Sequence, residues 1–74
     1  MEAHLWHRSH AGEIELVRGG VVYATVKPSG QWVGCSKGRD IHGNDRGERL
    51  SGAASDVATA KQAARAAVEK AQDQ

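Results

Sequence analysis

An α+β fold, a three-stranded antiparallel β-meander carrying one C-terminal α-helix, is what three features of the sequence predict. Alternating apolar residues fill 13–35 and are divided by two strong turn signals, a helical alanine stripe runs through 55–71, and 74 residues are enough for only one core. The chain is therefore read as a single domain, 1–74, in which a polar loop, 36–52, joins sheet to helix.

The helix has the clearest period. Val57, Ala60, Ala64, Ala67, Val68 and Ala71 recur at steps of three and four, while Lys61, Gln62, Arg65 and Glu69 fall on the other side. Small side chains bury little area each, but they let a helix axis come close to a flat surface, so the partner must supply bulk. The expected suppliers are Ile14, Leu16, Val22, Val26, Trp32 and Val33. Ser55 or Asp56 is placed to cap the helix start, and Ala71 to Gln74 should fray.

In the meander, Glu13 to Arg18 alternates as a strand with Ile14 and Leu16 on one face. Gly19-Gly20 supplies the left-handed positions of a two-residue hairpin. Val21 to Lys27 is rich in β-branched residues, with Val22, Ala24 and Val26 on one side and Val21, Tyr23, Thr25 and Lys27 on the other. Pro28-Ser29-Gly30 turns the chain again, and Gln31 to Cys35 is the third strand. Upstream, Trp6 stands in a polar, histidine-rich segment and is expected to be pinned against the core or to start a strand, since a solvated indole forgoes roughly 1.5–3 kcal/mol of burial. The linker Ser36–Gly52 has few apolar residues, only Ile41 and Leu50 among the large ones, and a loop of that length without structure of its own is functional or disordered.

Composition narrows the function. Ten Lys/Arg against nine Asp/Glu give a net charge of +1, far from the dense positive field typical of nucleic-acid-binding domains, although four protonated histidines would raise it to +5. With three aromatic residues there is no room for a large ligand cavity inside one monomer, so any site lies on the surface or between subunits. The lone Cys35 cannot form an intramolecular disulfide and fits a reducing cytoplasm, and no apolar run is long enough for a signal core or a membrane span. A thin core also makes a homodimer an expectation.

No catalytic or metal constellation stands out. His4, His7 and His10 with His42 and Cys35 do not match a zinc spacing, and an exposed histidine-rich end is the simpler account. Cys35 reads as a small apolar residue at a strand end rather than a nucleophile. Asp40, Asp45 and Glu48 do not follow the order of a calcium loop, and the glycines do not form a phosphate-binding loop. No enzyme and no cofactor is expected. The phase of the third strand decides what the sheet offers: Trp32 belongs to the core if it shares the helix face, whereas in the other phase Tyr23, Thr25, Lys27 and Trp32 form an exposed aromatic and basic patch. The candidate partner-binding residues are accordingly Tyr23, Lys27, Trp32, Lys37, Arg39, Arg46 and Arg49.

Three short strands, Trp32 followed by Val33-Gly34, and a helix carrying A-T-A-K-Q-A-A-R-A resemble in layout the sheet-plus-helix DNA-binding domains of phage integrase arms and plant ethylene-response factors. That resemblance implies duplex DNA read by the sheet face, through Arg18, Lys27, Lys37 and Trp32. In size and pattern the chain is also similar to small phage and prophage proteins with a β-meander and an alanine-rich C-terminal helix. This second resemblance implies an accessory or regulatory protein that binds and modulates or inhibits a host protein or a nucleic-acid-handling complex.

Overall fold

The computed structural model describes residues 5–8 and 12–72. His4 and His10 of the histidine-rich segment, and the last two residues of the expected frayed end, lie outside the described residues. The fold is α+β, but its antiparallel sheet has five strands in sequential order rather than three: β1 (Leu5–Arg8), β2 (Ile14–Arg18), β3 (Val21–Val26), β4 (Gln31–Cys35) and β5 (Arg49–Ala53), followed by α1 (Val57–Gln72).

The central meander forms where the turn signals place it. Gly19 and Gly20 both take positive φ, 60° and 79°, and close the β2–β3 hairpin in two residues between Arg18 and Val21. In the next turn Gly30 N–H donates to the carbonyl of Lys27 (2.9 Å) and Gly30 adopts φ 94°. A Cβ there would stand 2.2 Å from the carbonyl oxygen of Ala54, so this position requires glycine for space as well as for conformation.

One departure within the meander reorders its faces. Leu16 pairs with Ala24 but Val17 pairs with Val22, so Tyr23 is an extra residue and β3 is bulged. The bulge breaks the expected alternation and turns Tyr23 into the interior, where it is 9 % exposed and packs in the same cluster as Leu16, Ala24, Val26 and Trp32.

The two added strands arise from segments with weak strand character. In β1, Trp6 pairs with Leu16, and Lys61 Nζ and Arg65 Cζ of α1 lie 5.3 and 5.7 Å from its ring centroid. Trp6 thus both starts a strand and is pinned by the helix. In β5, Gly52 pairs with Trp32, and a Cβ on Gly52 would sit 2.7 Å from three atoms of the indole. The ring lies flat across the strand because there is no side chain beneath it.

Helix α1 packs on β3, β4 and β5. Ala60, Ala64 and Val68 are fully buried, and Val57, Ala63 and Ala67 are half-buried against the cluster. Asp56 is the N-cap: Thr59 N–H donates to its Oδ1 at 2.7 Å. The bond from the Thr59 backbone amide, helped by the Thr59 hydroxyl, holds the Asp56 carboxyl below its ordinary value of 3.8. Val33, expected in the core, faces away from the helix and is 41 % exposed. Among the described residues no helix is long and apolar enough to cross a membrane.

Candidate functional site: an ordered arm and the uncovered sheet face

Residues 36–48, expected as part of an unstructured loop, form a folded arm between β4 and β5. Its two sides are laddered by Ser36 N–H to Glu48 O (3.0 Å), Lys37 N–H to Arg46 O (3.1 Å), Arg46 N–H to Gly38 O (3.1 Å) and Asp40 N–H to Asn44 O (2.9 Å), with a bridge between Arg39 and Asp45. Asp40 closes the tip by accepting from the backbone amides of His42 and Asn44, each at 2.9 Å. The base is tied to the sheet, because Arg39 N–H donates to Val22 O (2.8 Å) and Gly38, at φ 83°, lies where any Cβ would strike Val21 and approach the Tyr23 ring.

This scaffold sorts the candidate residues. Arg39 and Arg49 share the Asp45 carboxylate, Arg39 Nε to Oδ1 at 3.3 Å and Arg49 Nε to Oδ2 at 3.5 Å. Half of that positive charge is neutralised locally, and the pair with the highly exposed Arg49 contributes little stability. Lys37 and Arg46 are exposed on the arm, and Lys27 is exposed at the end of β3. Ile41, at the tip, is 96 % exposed. The sequence marks it only as one of two large apolar residues in a polar loop, and the missing signal is the pair of hydrogen bonds to Asp40 that holds the tip in shape.

Tyr23 and Trp32 are a correction. At 9 % and 7 % exposure they are core residues, and with Thr25 also buried the exposed aromatic and basic patch does not form. Arg18, a residue of the DNA-reading set, is engaged with Tyr23: its Nη2 donates to the phenol oxygen at 3.3 Å and its guanidinium lies 5.1 Å from the ring centroid. What the sheet does present on the side away from α1 is a mixed row, His7, Glu15, Thr25, Val33 and Ser51, one residue from each strand. Thr25 is enclosed by its neighbours in that row, and its Oγ1 has no hydrogen-bond partner.

Cys35 is free and buried at the end of β4, as its reading as a small apolar residue implies. Among the described residues no three His, Cys, Asp or Glu side chains converge on a common point. Comparison of the chain with protein families, with curated proteins and with solved structures finds no match.

Proposed function

We propose that this chain is a non-catalytic accessory protein, of the kind small phage proteins supply, that binds and modulates a host macromolecular partner through the arm. The observation that supports this reading is the exposure of Ile41 at the tip of a hydrogen-bonded arm whose flanks carry Lys37, Arg39 and Arg46, with Arg49 just beyond it at the start of β5. A large apolar side chain held out in water on an ordered support has the form of an interface anchor, and the charged side chains around it, with Lys37 and Arg46 exposed, have the form of a polar rim. Ordering the arm before contact also lowers the entropy lost on binding.

The test compares partners captured by the immobilised chain with those captured by Ile41→Asp and by the double variant Lys37→Glu/Arg46→Glu. The expected outcome is a host protein retained by the wild type and lost from both variants, with all three chains equally folded by circular dichroism. Retention of the same partner by both variants overturns the assignment to the arm. Binding of duplex DNA whose affinity falls steeply with salt would transfer the function to nucleic acid.

A further inference from the structure

The outer edge of β5 carries a regular set of backbone groups that no strand among the described residues pairs with. Bonds from Ser36 N–H to Glu48 O and from Ala54 N–H to Gly30 O bracket the β4–β5 ladder, in which Val33 stands opposite Ser51. Alternation along an antiparallel ladder then turns the backbone groups of Leu50 and Gly52 toward β4, and those of Arg49, Ser51 and Ala53 away from the sheet. Among the described residues no strand pairs with that side. Apart from the charge of Arg49 at its start, the edge lacks the usual protection. It contains no proline and no bulge, its side chains Ser51, Gly52 and Ala53 are small, and the arm is fastened on the side of β3 through Val21, Val22 and Tyr23.

We infer that β5 pairs with β5 of a second copy, antiparallel about a two-fold axis at Ser51, joining two five-stranded sheets into one continuous sheet. A second copy is the occupant because the edge is its own complement. The outward residues 49, 51 and 53 are symmetric about 51, so Arg49 meets Ala53 of the partner copy and Ser51 meets its own equivalent, and every outward group of the strand is bonded. A shift of the axis by one residue in either direction leaves one of the three outward residues without a partner inside β5. The charges agree with this register. Each Arg49 lies about 13 Å along the strand from its copy, beyond the screening length of about 10 Å, and each is already paired with Asp45. Leu50 and Gly52 face α1 in both copies, so the two helices lie on one side and the two uncovered faces merge on the other. The pairing is independent of what the arm binds.

Sedimentation equilibrium of the full chain from about 10 μM to about 1 mM tests it. The expected result is an average mass rising with concentration from 7.9 kDa toward twice that value. Ser51→Pro deletes an outward N–H without touching the ladder to β4, and it should weaken association at least about tenfold while the fold survives, as edge strands tolerate proline. Ser51→Cys locates the axis whether or not the proline variant folds. Under mild oxidation it should give a disulfide-linked dimer, whereas Ala53→Cys, distant from its own copy, should not. Buried Cys35 does not compete. A mass of 7.9 kDa throughout, association unchanged in folded Ser51→Pro, or equal crosslinking at 51 and 53 would each overturn the inference.

Discussion

Trp32 and Val33 are neighbours on one strand, and the sheet treats them oppositely: the indole is 7 % exposed under α1, while the valine is 41 % exposed on the side without a helix. The difference shows which side of the sheet this small chain seals and which it leaves open to solvent. On the helix side the largest side chains of the sheet meet alanines, and close approach of the helix axis gives them a sealed interior. On the other side the row from His7 to Ser51 is polar or short, and its one enclosed member, Thr25, has a hydroxyl with no bond to satisfy it.

Truncating the two neighbours breaks the comparison most directly. Trp32→Ala should cost about 3–5 kcal/mol in denaturant unfolding and leave little native protein, whereas Val33→Ala should cost less than about 1 kcal/mol. Equal losses would mean that the two faces are not distinct. Alanine placed on either side makes a subtler version of the same contrast. Gly52→Ala places a Cβ within 2.7 Å of the indole and should destabilise by roughly 1–3 kcal/mol, while Ser51→Ala, on the opposite face, should stay within about 0.5 kcal/mol.

The smallest expected effect concerns the cap that starts the covering helix. Because folding lowers the Asp56 pKa, the cap supports the fold fully above the ordinary carboxylate value of 3.8 and is lost as pH falls through the lower, folded value. Thermal melts between about pH 7 and about pH 2 should therefore show Asp56→Ala less stable than wild type at neutral pH, with the gap closing in acid. Asp56→Asn, which keeps an acceptor at every pH, should instead hold its cap across the range.

The helix was legible in the sequence because its period and cap are local. So were both turns, where Gly19-Gly20 and Pro28-Ser29-Gly30 state their conformations directly. Strand β5 was not, since Arg-Leu-Ser-Gly-Ala has little intrinsic preference for a strand and is held in place by β4 and by an indole that needs a glycine to rest on. Strict alternation puts Tyr23 on the wrong face because one inserted residue reverses the parity of everything before it, and periodicity cannot show a bulge. Of the candidate site, the cations of the arm were legible as composition. The folded arm was not, because its shape depends on pairings such as Arg39 with Val22 that join distant parts of the chain.

The indole of Trp32 spans the strand that ends the sheet, so the most buried of the three aromatic rings touches the backbone of an edge strand. Any molecule that lines up along that edge will tug on the floor under a natural fluorophore. Emission from Trp32, separated from that of Trp6 by a Trp6→Phe replacement, would thus register docking at β5 without an added label.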